Sequence, residues 1–135
     1  MRGKIFIDTN IFVYTQSSVE TKKRNISTEI IENYDCHTST QVLSEVSNVL
    51  TKKLNMPIRE VKQIISAVNA NCIINVVDYD TVQRALDLKE RYAYSYYDSL
   101  ILAAAIESGC PKIFSEDMSN RQIIENMLEI INPFK

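Results

Sequence analysis

Glycine is nearly absent from this chain. Among 135 residues only Gly3 and Gly109 occur, too few for a Walker A loop or a GxGxxG turn, both of which need clustered glycines where backbone wraps a phosphate. Histidine is scarcer still. His37 stands alone in a Cys-His-Thr-Ser-Thr stretch, so no HExxH zinc site can be written and no nucleophile elbow lies near it to complete a triad. The cysteines, Cys36, Cys72 and Cys110, are far apart, odd in number and form no CxxC pair. They argue for buried packing, not for a disulfide framework or a zinc site. No apolar run approaches the roughly 18 residues needed to cross a bilayer. The apolar stretch of MRGKIFIDTN is short and cut by Asp8, unlike a signal peptide, so a cytoplasmic protein is expected. Charge of one sign is lacking too: 15 basic and 17 acidic residues leave a net charge of −2. A polyanionic partner would therefore need local basic patches or a cation. Carboxylates, amides and hydroxyls are what remain for chemistry.

What is present has ordinary globular proportions, with 45% hydrophobic and 24% charged residues. A chain of this length buries roughly two-thirds of its unfolded surface and needs no staples. Short β-branched runs alternate with longer helical stretches. Lys4 to Ile7 reads as a buried strand, apolar at consecutive positions. Ile11 to about Tyr34 is predicted helical with a break near Ser17-Ser18, and Cys36 to Ser39 is a short strand. Thr40 to Leu54 has helical spacing, and Pro57 opens a helix running to about Asn71. Cys72 to Val77 is expected to be a second buried strand. Helices follow from about Thr81 to Arg91 and over YYDSLILAAAIESGC, the latter stopped by Gly109 and Pro111. KIF is a strand, Asn120 to Met127 a helix, and LEII a last edge strand. The alternation implies one α/β domain over residues 1–135, with a central parallel sheet flanked by helices.

Ligands of open α/β sheets gather at the carboxyl ends of the strands. Asp8, Thr9 and Asn10 follow the first predicted strand, Ser39 and Thr40 follow the second, and Ser115, Glu116 and Asp117 follow KIF. Each acid has an ordinary explanation. Asp8 and Asp98 could cap helices, Asp117 could be a turn residue, and Glu45, about 40° beyond the apolar stripe of its helix, could be a surface glutamate. Asp98 opens a helix that is apolar nearly all round, where a carboxylate is costly unless paired, hydrogen-bonded or bound to metal. Asp78 and Asp80 also follow a strand, precede a conventional amphipathic helix, and are read as capping residues. Asp8, Glu45, Asp98 and Asp117 differ in having no adjacent Lys or Arg. Carboxylates converging without cations repel one another, and a hard divalent cation with oxygen ligands relieves that.

The blocks FIDTNIFVY, TSTQVLSEV, YYDSLILAAAIESGC, IFSEDM and LEIINPF, in that order, resemble the PIN-domain family, and within it the VapC-type ribonuclease toxins of toxin–antitoxin modules. The resemblance covers essentially the whole chain. It implies a three-layer PIN-like fold in which Asp8, Glu45, Asp98 and Asp117 hold magnesium or manganese. It further implies that Asn10 supports the first carboxylate, that Thr9, Ser39 and Ser115 line the site, and that Glu116 adds a further acid. Where many relatives continue with a Gly-Gln or Asp-Phe step, this chain reads SNRQ. The implied activity is hydrolysis of an RNA phosphodiester to a 5′-phosphate and a 3′-hydroxyl, with water as nucleophile. The implied partners are an RNA substrate, an antitoxin protein and a second copy of the chain. Lys22-Lys23-Arg24 and Lys52-Lys53 are candidate grips on the RNA backbone, with solvated surface as their ordinary role.

Three rival readings share parts of this pattern. A haloacid-dehalogenase-type phosphatase needs a second acid two residues after the first, where this chain has Asn10. A non-catalytic PIN-fold binding module is disfavoured by the complete acidic set. A nuclease of RNA processing or decay differs in biology, not in chemistry.

Overall fold

Consecutive β-branched and aromatic residues call for a strand covered on both faces, and Ile5, Phe6 and Ile7 are buried at the centre of the sheet. The computed structural model describes residues 2–135. Its strands are β1 (Lys4–Ile7), β2 (Asp35–Ser39), β3 (Ile73–Asn75), β4 (Lys112–Phe114), β5 (Ile123–Ile124) and β6 (Leu128–Ile131). Its helices are α1 (Thr9–Tyr14), α2 (Thr21–Asn33), α3 (Thr40–Lys52), α4 (Ile58–Asn71), α5 (Tyr79–Tyr92) and α6 (Tyr96–Glu107). The strands lie side by side in the order β3-β2-β1-β4-β6-β5. All neighbours are parallel except β5 and β6.

The chain steps outward from β1 through β2 to β3, then returns to β4 on the other side of β1. Right-handed crossovers place α1–α4 on one face and α5–α6 on the other. The packing agrees: α1 meets α2 and α3, α3 meets α4, and α5 lies along α6. Every side chain from Ser99 to Ile106 is buried, as an all-apolar helix requires. α6 ends on Gly109, whose φ of 74° is left-handed, a conformation that glycine adopts without a Cβ penalty. Because winding reverses between β1 and β4, their carboxyl ends bound the crevice where such sheets hold ligands.

Three elements depart from the sequence expectation. Asn120–Met127 is not a helix. It holds β5 and a tight turn in which Met127 N–H donates to the Ile124 carbonyl at 2.9 Å, with Glu125 and Asn126 at φ 53° and 52°. Two consecutive left-handed residues are the mark of a type I′ hairpin. The Tyr92 hydroxyl accepts the Glu125 N–H and donates to its carboxylate, so tertiary contacts hold this turn. β6 is consequently interior, between β4 and β5, and the sheet edge belongs to β5. At the opposite edge, the expected strand Cys72–Val77 shortens to Ile73–Asn75, with Ile73 59% exposed. Among the described residues it pairs only with β2, so its second edge has no strand partner.

Candidate active site

The acids collect at that crevice. Asp8 follows β1, and its N–H donates to the Phe114 carbonyl at the end of β4 (3.1 Å). This seats the chain after β1 directly beside Ser115–Asp117. The Asp8 side chain is buried. One carboxylate oxygen accepts the Thr9 N–H at 2.6 Å and the other accepts the Ser115 hydroxyl at 2.7 Å. Asp8 is therefore the N-cap of α1 and, at once, one of the clustered carboxylates of the crevice.

The next two residues reach two further acids. The Thr9 hydroxyl donates to Glu45 Oε1 at 2.7 Å, tying the second turn of α3 to the start of α1. Asn10 Nδ2 donates to Asp117 Oδ2 at 2.6 Å. Asn10 thus supports the fourth acid, whereas the family resemblance had assigned it to the first. The supports of Asp8 are Ser115 and the Thr9 N–H. Asp98 stands in the first turn of α6, where Ser95 is the N-cap and its hydroxyl accepts the Asp98 N–H at 3.1 Å.

Electrostatics tie the cluster together. Burial lifts Asp8 from 3.8 to about 6, with the Ser115 and Thr9 hydrogen bonds opposing the rise and the charges of Glu45 and Asp98 adding to it. Burial also raises Asp98. The Ser95 hydroxyl opposes that rise, and the charges of Asp117 and Glu45 push the same way as burial. Among the described residues no ion pair involves Asp8, Glu45, Asp98 or Asp117. Their mutual repulsion has no built-in counter-ion. Among the same residues no three His, Cys, Asp or Glu side chains are drawn closely enough to grip one ion. Three of the four acids are instead held by hydroxyl and amide donors of the protein. The donor set is oxygen only, which suits a hard divalent cation and not a thiolate or imidazole metal.

Other predicted residues have different work. Ser39 is the N-cap of α3, accepting the Val42 N–H at 3.3 Å. The Glu116 carboxylate is committed elsewhere, bonded to Lys23 Nζ at 2.6 Å and to the Tyr14 hydroxyl. Burial would raise Glu116, but these two donors outweigh it and hold the acid below its usual range. Lys23, 5.0 Å from the centroid of the Tyr14 ring, is thereby occupied, and Arg24 donates to the Ser17 carbonyl. Lys52 and Lys53 lie at the C-terminal end of α3, about 10 Å along the helix beyond Glu45. As candidate RNA grips, then, Lys23 and Arg24 are already engaged, and Lys52-Lys53 sit about two helical turns beyond Glu45. Asp78 forms a capping box with Thr81, and Asp80 lies exposed in the first turn of α5.

Sequence reasoning missed Gln41, Tyr14 and Ser95. Gln41 donates to Glu45 Oε2 at 2.9 Å and to the Tyr97 carbonyl at 3.0 Å. Its spacing of four residues before Glu45 on one helix was the available signal.

The model of the PIN domain matches residues 5–123 of this chain. Among curated proteins no match is found. Solved structures with the same fold include VapC20 of Mycobacterium tuberculosis, described as a sarcin-ricin loop cleaving toxin. It is 18% identical, with a TM-score of 0.68 over 84% of this chain and 91% of that one. A toxin–antitoxin complex from Klebsiella pneumoniae contains a chain 18% identical, with a TM-score of 0.71 over 96% of this chain and 97% of that one. VapBC2 of Rickettsia felis, bound to a promoter DNA fragment, is 17% identical, with a TM-score of 0.69 over 96% and 99%.

Proposed function

Since the chain belongs to the PIN-domain family, we propose that it is a magnesium- or manganese-dependent endoribonuclease, the toxin of a type II toxin–antitoxin pair. The observation that carries this reading is Asp8: a buried carboxylate at the crevice between β1 and β4, raised toward neutrality by burial and by neighbouring acids, with no cationic partner among the described residues. Structural neighbours described as toxins and toxin–antitoxin complexes support the biological assignment.

In this reading Asp8, Glu45, Asp98 and Asp117 hold the cation. When bound, it makes water a competent nucleophile and offsets charge building on the phosphate. Ser115 and the Thr9 N–H orient the Asp8 carboxylate, the Thr9 hydroxyl orients Glu45, and Asn10 orients Asp117. Glu116 acts indirectly. Bonded to Lys23 and Tyr14, it anchors the Ser115–Asp117 segment to α1 and α2. An antitoxin protein silences the enzyme, and two copies of the chain form the working dimer in the cytoplasm.

Purified protein incubated with total RNA and manganese or magnesium tests the chemistry. Cleavage by the parent, lost in Asp8→Asn and in EDTA and retained in Asp80→Asn, is the expected result. Equal cleavage by Asp8→Asn, or cleavage in EDTA, refutes the mechanism. Growth arrest on expression, relieved by co-expressing a small neighbouring reading frame, tests the toxin assignment.

A further inference from the structure

We propose that Gln41 is a positioning residue that fixes Glu45 and the first turn of α6 in one geometry, and through them the cation site. The inference rests on the metal-dependent reading above. Gln41 lies in the first turn of α3, one turn before Glu45. Its single amide nitrogen donates to Glu45 Oε2 at 2.9 Å and to the carbonyl of Tyr97 at 3.0 Å. Tyr97 is 56 positions away in sequence and immediately precedes Asp98. Two acceptors settle which end of the amide faces them, because a flipped Gln41 would set oxygen against oxygen.

The consequence for Glu45 is restraint at both oxygens. Thr9 holds Oε1 and Gln41 holds Oε2, so its carboxylate is pinned between α1 and α6. A lysine in place of Gln41 would also bind Glu45, but it would neutralise the charge and compete with a cation. An amide restrains the carboxylate and leaves its charge available, as residues behind metal ligands commonly do.

The arrangement is also costly. Gln41 Oε1 is buried and accepts no hydrogen bond from the described residues. An unpaired buried acceptor lowers stability, and an apolar side chain of similar shape would avoid the loss. Packing alone therefore favours leucine or methionine at this position. The bridge to Glu45 and Tyr97 is what leucine or methionine cannot supply.

The test titrates manganese chloride calorimetrically into the parent, Gln41→Leu and Gln41→Met, and melts each protein in EDTA. Both variants should bind manganese about 10- to 100-fold more weakly while melting in EDTA close to the parent temperature, since relief of the unpaired Gln41 oxygen offsets the loss of its two hydrogen bonds. The half-saturating manganese concentration for RNA cleavage should rise by the same factor. Unchanged manganese affinity in both variants overturns the proposal, as does a loss of affinity matched in both by a lower melting temperature in EDTA. A parent that takes up no manganese overturns the metal reading, and this proposal with it.

Discussion

Replacing Asp8 with asparagine stabilises the metal-free protein at neutral pH. Asp8 is 6% exposed, and its carboxyl is pushed from 3.8 to about 6 by burial, with the charges of Glu45 and Asp98 adding to the rise. At about 1.4 kcal/mol per tenfold change in proton affinity, keeping Asp8 ionised at neutral pH costs the fold about 3 kcal/mol. Asparagine preserves the local bonding pattern: its carbonyl accepts the Thr9 N–H and its amide donates to the Ser115 hydroxyl. It forfeits a negative charge at the start of α1, about 0.3–1 kcal/mol. The net gain is about 2 kcal/mol, or roughly 5–10 °C in Tm for a chain of this size. The sign follows from proton binding. Folded Asp8 holds its proton more tightly than unfolded Asp8, so its contribution to stability is complete below about pH 3.8 and is lost as pH rises through about 6. The advantage of Asp8→Asn is therefore full near pH 7.5, shrinks through about 6 and vanishes near pH 4. Thermal melts in EDTA followed by circular dichroism across that range measure it. A gain that does not change with pH refutes the reasoning, as does a loss near neutrality. Adding manganese should reverse the order, because only the parent then gains stability from binding.

Leu102→Ala empties a fully buried position of α6 and should cost about 2–5 kcal/mol in urea unfolding, depending on how far α5 and the sheet relax into the space. Asp78→Ala removes the carboxylate half of the capping box at the start of α5 and leaves the backbone N–H of residue 78 donating to the Thr81 hydroxyl. Asp78 is held below the usual carboxylate range chiefly by the Thr81 N–H. Its stabilisation is therefore present above the ordinary aspartate value and is lost as pH falls through the lower folded one. The variant should melt below the parent at neutral pH, match it in strong acid, and cleave RNA normally.

Local signals were legible in the sequence wherever one residue's surroundings lie along the chain. The all-apolar run of α6 with Asp98 in its first turn, and the buried run of β1 with Asp8 just after it, follow from patterning alone. The β5–β6 hairpin was hidden because Glu125 and Asn126 adopt left-handed backbone without a glycine to advertise it. The turn is held by Tyr92 from a distant helix. The same distance concealed the true partner of Asn10, since Asp117 lies 107 positions away and no spacing rule reaches that far. Glu116 looked like a ligand because an acid beside an acid carries no mark of which one faces inward. Only the position of Lys23 in space decides that.

Strand order has a consequence for the order of synthesis. β1, made first, has β4 as one of its two neighbours, and the Ser115 hydroxyl that holds Asp8 comes 107 residues later. Chains emerge from the ribosome amino end first. A nascent chain stopped short of Lys112 carries Asp8, Glu45 and Asp98, yet one edge of β1 stays open and Asp117 does not exist. The crevice is complete only after β4 lies beside β1, so Asp8 gains its Ser115 partner and Asp117 joins the other acids only when the last fifth of the chain has been made.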